Sequence, residues 1–456
     1  MSANEQGLDA IEGVRTYAPG SDGYKQATSP RNSRATQHPL LVAAPTSIDQ
    51  VASAVRHAAA HGLCVVPQAT GHGAASDLGD DVLLLDTSRL NAIQIDADRR
   101  IARVGAGATW GAVDSEAEKV GLLGRAGSAP DVAVAGFTFG GGAGWLTRPY
   151  GLAAGALIAV DFVDGAGHIR RAVDDAPDEV DRAALWAYRS GGGLGIAARL
   201  TFELAPVDDL WAGSLLWPID ALDVVVSAWA RCVPRFGAAL ATSIGVLRAP
   251  PGPPIPQTQP GQQVVHLAMA SSRGERDAAA LRQALAAVSA PLLDTWGPAD
   301  AAKLGGIHLD PPVAAPTLGM ARWLDDATPS LAVDTLSSAV GSPLLMVELR
   351  HVSNTAPARE GAASTVAGGF MLHAVGDAAE TASIPQLEAA FAAVRQASAG
   401  ADTGLTIGSW ADGRSAVPDA LPAHVRDRVI DISKRVDPDG VIAPSRFISG
   451  DDATDG

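Results

Sequence analysis

Glycine placement is the tightest constraint on this chain. Two stretches carry it: Val65-Val66-Pro67-Gln68-Ala69-Thr70-Gly71-His72-Gly73-Ala74, and Gly136-Phe137-Thr138-Phe139-Gly140-Gly141-Gly142-Ala143-Gly144-Trp145. Leu63 to Val66 is apolar, so the first stretch reads as a buried strand that breaks into a loop at Pro67, where Gly71 and Gly73 open backbone angles closed to other residues. Such a loop can turn successive N–H groups inward. The resulting concavity suits anionic oxygens, with a diphosphate as natural occupant and no need of Lys or Arg. His72 lies in the middle of it. A histidine in such a loop is either a hydrogen-bonding loop residue or a point of attachment.

The 456 residues are 47% hydrophobic, enough for a large core and two or three structural units. Fifty acidic against thirty-four basic residues give a formal charge of −16, which repels phosphate backbones and anionic lipids. Nucleic-acid and membrane partners are therefore not expected, and no metal is expected either. The first residues lack the basic start and apolar run of a secretory signal, and no apolar run is long enough to span a bilayer, so the default location is cytoplasmic. Cys64, in an apolar strand, and Cys232, near the end of a helical pattern, read as buried small hydrophobes.

Residues 1–37 carry little apolar periodicity. Leu40 to Val42 then reads as a strand and Gln50 to His61 as a helix with Val51, Ala54, Val55 and Ala58 on one face. Val82 to Asp86 and Ile101 to Val104 read as strands, Thr109 to Val120 as a helix, and Ala159 to Val163 and Arg199 to Leu204 as further strands. The pattern changes at Pro206-Val207-Asp208-Asp209. Beyond it come strands at Leu215–Trp217, Ala241–Leu247, Val264–Ala270, Leu344–Val352 and Gly369–Val375, with helices at Ala221–Cys232 and Glu275–Val288. The run Ala249 to Gly261, rich in proline, reads as an exposed extended loop. A last helix, Ala423 to Arg435, stops at Asp437-Pro438-Asp439-Gly440.

Six pieces in order resemble the motifs of the berberine-bridge-enzyme-like flavoproteins, in the vanillyl-alcohol-oxidase and cresol-methylhydroxylase superfamily. They are Thr70-Gly71-His72, Gly127-Ser128-Ala129-Pro130-Asp131-Val132, Gly140 to Trp145, Arg148-Pro149-Tyr150-Gly151-Leu152, Leu185 to Gly195, and Val436 to Gly440. The resemblance runs from Pro39 to Leu204 and resumes near the carboxy terminus. It implies an α+β chain: a two-part FAD-binding domain of the cresol-methylhydroxylase type, residues 1–205 and 406–456, with an inserted substrate domain, 206–405, of antiparallel sheet backed by helices. It implies FAD bound at Pro67, Gln68, Ala69, Thr70, Gly71, His72, Gly73, Ala74, Gly127, Ser128, Val132, Gly136, Phe137, Gly140, Gly141, Gly142 and Val160. It also implies attachment of the flavin 8α-methyl to His72.

Departures from the family pattern matter as much. Ala129 stands where a cysteine makes the second bond in bicovalent members, so attachment through His72 alone is implied. Phe137 replaces a histidine that lies near the flavin N1 side in some members, so another group must meet the reduced flavin's charge. Gly155 stands where Asp is frequent. Val132 falls at the family's proposed oxygen gate, where a small residue resembles the oxidase form. The Tyr-x-Asn element expected before the last helix is absent from Gly408-Ser409-Trp410-Ala411-Asp412-Gly413, so the usual base cannot be carried over.

Catalytic candidates therefore come from the strand Leu344–Val352. Glu348 and Arg350 alternate with Val347, Leu349 and His351, so either Glu348 with Arg350, or His351, faces the flavin. His373 lies on a neighbouring strand. The reading is an FAD-dependent oxidase of a small organic molecule in secondary metabolism, using O2. The alternative is a non-redox tailoring enzyme or cyclase that keeps FAD as a structural part.

Overall fold

The computed structural model describes residues 11–249, 261–311, 313–353 and 356–448. Most of the proline-rich run, Pro250 to Pro260, lies outside them. Three sheets organise the described chain. The first has four strands in the order Arg15–Tyr17, Leu41–Ala44, Val82–Asp86, Cys64–Gln68, the last three parallel. Helix Ile48–His61 makes the crossover. Ser47 caps its start by accepting from the Gln50 N–H, Gly62 at φ 68° ends it, and Val51, Ala54, Val55 and Ala58 face inward. Pro67 does not end its strand, which continues to Gln68. This strand is the outermost of the four, and a missing N–H is tolerated there.

The second sheet is antiparallel: Ile93–Asp96, Ile101–Gly105, Ile196–Glu203, Leu157–Val163, Ile169–Val173. Trp110, Phe162, Tyr188 and Phe202 fill the core beneath it. The predicted helix from Thr109 is shorter than its periodicity suggests, Trp110–Ala117 with one tighter turn to Val120. Strand Arg15–Tyr17 and helix Asp22–Ala27 fall in the stretch that showed little periodicity.

The third sheet runs Leu293–Asp294, Trp211–Pro218, Gln263–Ser271, Leu240–Arg248, Leu344–His351, Phe370–Asp377, Thr317–Leu324, all antiparallel. Helices Leu222–Cys232, Ala279–Ala286, Pro329–Ser337 and Ile384–Ser398 cover one face through Trp229, Leu281, Leu336 and Phe391. The predicted helix over 275–288 is a 3-10 turn followed by Ala279–Ala286. Strand Thr317–Leu324 and the last two of these helices were not read from the sequence. The other face carries Ser243, His266, Glu348, Arg350 and His373, all buried. Register sets Glu348 between Gly245 and His373.

After Ser398 the chain returns. Residues 402–412 bond both to the edge strand Thr317–Leu324 and, through Ser409 N–H to Gly140 O, to the glycine run. Helix Ala423–Val436 follows, and residues 441–443 then pair with Val65 on the first sheet. Among the described residues no helix is long and apolar enough to cross a membrane.

Asp437 fastens this return: its two carboxylate oxygens accept from the Val441 and Ile442 N–H groups at 3.0 and 2.7 Å, beneath Gly165. Losing both bonds from a site with little solvent is worth about 2–3 kcal/mol. Asp437→Ala is expected to lower the unfolding free energy by that amount, and Asp437→Asn by less, in denaturant titrations read by tryptophan fluorescence.

Candidate active site

The loop after Gln68 is held from behind. Gln37 donates to Gln68 Oε1 at 2.8 Å, Arg31 N–H to Thr70 O at 2.9 Å, and Asn32 N–H to Gly71 O at 3.1 Å. Gly71 sits at φ 74°, and a Cβ there would overlap Pro30, so only glycine suits the position. Pro67 and Gly73 are exposed, while Ala69, Thr70, His72 and Ala74 are half-buried. Among the described residues the N–H groups of Thr70, Gly71, His72 and Gly73 donate to nothing. His72 directs Nε2 to Asp131 Oδ1 at 3.1 Å, and Arg31 Nε reaches Asp131 Oδ2 at 2.8 Å. The hydrogen bond from His72, outweighing a burial penalty, and then Arg31 hold the Asp131 carboxyl well below the usual range. That pair ties the first glycine loop to the second.

The second loop lies directly on the glycine run. A Cβ at Gly144 would overlap the Ala126 carbonyl, and one at Gly127 would come 2.8 Å from the Phe137 ring. Phe137 is buried edge-on against Trp110, 6.0 Å between centroids, where a charged imidazole would have no partner. Gly141 and Gly142 have φ 101° and 74°. Gly140 packs on Ser409, and the Gly142 N–H donates to Ser409 Oγ at 3.2 Å. Gly136 is exposed, with open space where a side chain would stand. Val132 is half-buried against the core. Val160 is a fully buried member of the second sheet. Gly127, Ser128 and Ala129 also carry N–H groups that donate to nothing among the described residues.

The third sheet brings its polar face down on this loop. Arg350 Nη2 meets Ser128 Oγ at 3.0 Å and lies 3.4 Å from both Glu348 oxygens. Its guanidinium carbon is 4.2 Å from the Trp145 ring and 4.6 Å from the Trp410 ring. Glu348 also accepts from Ser243 Oγ. His308, on the turn after helix Ala301–Gly306, places Nε2 3.2 Å from Glu348 Oε1 and Nδ1 2.7 Å from Asp310. His373 stands 3.6 Å from Glu348 and 3.4 Å from Asp412. Three carboxylates, one guanidinium and two imidazoles thus interlock, with Glu348, Arg350, His308 and His373 buried and Asp310 and Asp412 reaching toward solvent.

Each charge has a stated cause. Burial opposes the charge on His308, but Asp310 and then Glu348 overcome it and raise the imidazole to about 10. Burial likewise opposes ionised Glu348, and Arg350, His308 and His373 more than offset it, holding the carboxyl well below its ordinary value. For His373 the burial penalty is outweighed by Asp412 and Glu348, which raise it. His266, buried beside His308 and bonded to the Ile307 carbonyl at 3.1 Å, is lowered to about 4 by burial and then by that neighbour.

Of the two candidate sets on the strand, the structure brings Glu348 and Arg350 to Ser128. His351 points to the opposite face, stacked on Phe370 at 5.1 Å and near Phe236 at 6.0 Å, with Nε2 2.5 Å from Ser353 Oγ. Burial and then Arg148 lower it to about 3, a neutral packing residue away from the flavin loops. His308, Asp310, Ser243, Trp145, Trp410 and Asp412 were not among the sequence candidates. Only the spacing His308-Leu309-Asp310 hinted at an oriented imidazole, and nothing local connects it to Glu348.

Residues 39–172 match the family model for an FAD binding domain. The chain is 31% identical over 213 residues to (R)-6-hydroxynicotine oxidase of Paenarthrobacter nicotinovorans, covering 46% of this chain and 45% of that one. It is 32% identical over 184 residues to a berberine bridge enzyme-like protein of Arabidopsis thaliana, covering 38% of this chain and 33% of the other. The crystal structure of 6-hydroxy-D-nicotine oxidase from Arthrobacter nicotinovorans superposes with TM-score 0.82 at 20% identity, over 98% of this chain and 99% of that one. The chain has the FAD-binding domain and fold of the berberine-bridge-enzyme-like flavoproteins. By sequence it spans about half the length, or less, of these curated relatives. FAD fits this chain's own residues: among the described residues two glycine loops offer seven unpaired main-chain N–H groups, and open space adjoins Gly136.

The His308 shift makes stability depend on pH with a definite sign. A cation whose folded pKa is raised stabilises the fold fully below its unfolded value near 6.5, and loses that contribution as pH rises through about 10. The stability difference between the native protein and His308→Gln is therefore expected to be largest below pH 6.5. It should shrink toward pH 10 with a limiting slope of about 1.4 kcal/mol per pH unit, read in urea titrations across that range.

Proposed function

We propose that this flavoprotein is an oxidase of a small organic molecule of secondary metabolism, with Glu348 as the proton acceptor and FAD tethered by His72. The observation that carries the reading is the contact of Arg350, itself paired with Glu348, with Ser128 on the second glycine-bearing loop. FAD, when bound, would accept a hydride from the substrate and return to its oxidised form with O2, yielding H2O2. The protein's part is positional. The N–H groups of residues 70–73 and 127–129 would hold the cofactor, and the roof would hold the substrate.

Glu348 is ionised at neutral pH and can therefore accept a proton, and the cations that keep it ionised also weaken it as a base until substrate disturbs them. His308, itself fixed by Asp310, and Ser243 hold the carboxylate in one orientation. Trp145 and Trp410 pack against the Arg350 guanidinium. A single tether follows from His72 and from Ala129, which offers no sulfur. Asp131 binds one imidazole nitrogen of His72 and leaves Nδ1 without a protein partner among the described residues. Val132 as a small gate residue favours O2 as the acceptor over another oxidant. The competing reading, proton-transfer chemistry with FAD retained as structure, draws on the same buried acid–base cluster and predicts turnover without oxygen uptake.

Acid precipitation of the purified protein is expected to give a yellow pellet with a flavin peptide containing His72, and His72→Ala a colourless one. Anaerobic substrate should bleach the flavin and air restore it. Glu348→Gln is expected to keep the flavin yet slow that bleaching by about 10²–10⁴-fold in stopped-flow absorbance. Bleaching at an unchanged rate would remove Glu348 from the chemistry.

A further inference from the structure

The Arg350 guanidinium is 1% exposed, yet among the described residues only one of its three nitrogens is engaged: Nη2 meets Ser128 and Glu348, while Nε and Nη1 are buried without a hydrogen-bond partner. Guanidinium groups keep their charge, and burying one with donors unmet is costly. The cluster's own anions are turned elsewhere. Asp310 is bonded to His308, Asp412 faces His373, and Glu348 is shared among His308, Ser243 and Arg350 Nη2. Trp145 and Trp410 pack against the guanidinium through their rings, so a further acceptor would have to meet it at its N–H edge. Edge-on approach to guanidinium N–H groups is the geometry of oxyanion recognition.

We propose that Arg350 receives an oxyanion of the substrate, a carboxylate or a phenolate, through Nε and Nη1. The proposal rests on the reading above that Glu348 and the flavin loops form one active site, and it narrows the substrate to acids. Arg350 then acts as a specificity residue. It fixes the acidic end of the molecule beside Ser128, and Glu348, two residues back on the same strand face, is left to work on a neighbouring position.

The test uses flavin-loaded protein and three probes: benzoate, pentafluorophenolate, and benzamide as the neutral counterpart of benzoate. Each is titrated while the flavin absorption spectrum is followed. At least one anion is expected to bind about tenfold or more tightly than benzamide, as for a charge-assisted hydrogen bond set against a neutral one. The tighter anion tells carboxylate from phenolate. Arg350→Met should abolish the preference, and Arg350→Lys should keep part of it by retaining charge without the planar fork.

Equal binding of benzamide and both anions in the native protein, or no perturbation by either anion, overturns the proposal even if the variants fail to fold. The latter result would leave the free N–H groups to acceptor atoms of the cofactor. A protein that takes up no flavin is a different result, one that ends the oxidase reading itself.

Discussion

Close contact between two backbones governs the rest of this structure. The loop Ala126–Ala129 lies so near the run Gly140–Gly144 that a side chain at Gly144 would occupy the Ala126 carbonyl. That contact presents Ser128 and its neighbouring N–H groups to the cleft and sets Trp145 beneath Arg350. Ser409 and Trp410, bonded to Gly140 and to the Ala143 carbonyl, close the same contact from the carboxy-terminal side. Replacing Gly144 with any other residue would push the loop Ala126–Ala129 off this run.

This explains why the glycine loops were legible in the sequence and the polar cluster of the third sheet only in part. Gly71, Gly141 and Gly142 adopt backbone angles that identify them locally, and a loop that needs them shows it in a short window of sequence. The alternation along Leu344–His351 also showed that Glu348 and His351 must face opposite ways. Which way each faces depends on sheet packing, and this was open until Ser128 and Phe370 were seen on the two sides. His308, forty residues from Glu348, meets it because a turn after a short helix folds under the sheet. Trp410 and Asp412 lie in the segment where a tyrosine was sought, and they serve the roof through other chemistry. Pro67 misled the strand reading because edge position cannot be seen locally.

The polar face of the third sheet also shows how buried ionisable groups are compensated, since Glu348, Arg350, His308 and His373 are buried while Asp310 and Asp412 reach toward solvent. Three carboxylates face one guanidinium and two imidazoles whose protonation is favoured, so formal charges balance within the cluster. Burying any one of these groups alone would cost several kcal/mol. Together they form a fixed electrostatic frame, and removal of one member leaves its neighbours with an uncompensated charge. Such a frame resists relaxation when a proton arrives.

Residues 441–443 complete the outer edge of the first sheet by bonding to Val65. During synthesis the strand Cys64–Gln68 leaves the ribosome almost four hundred residues before the segment that covers it. For the whole interval that edge is an open template for pairing with another chain. The nascent polypeptide must therefore carry an adhesive border through that interval, and a message cut short before this segment would yield a product inclined to self-associate rather than a smaller working protein.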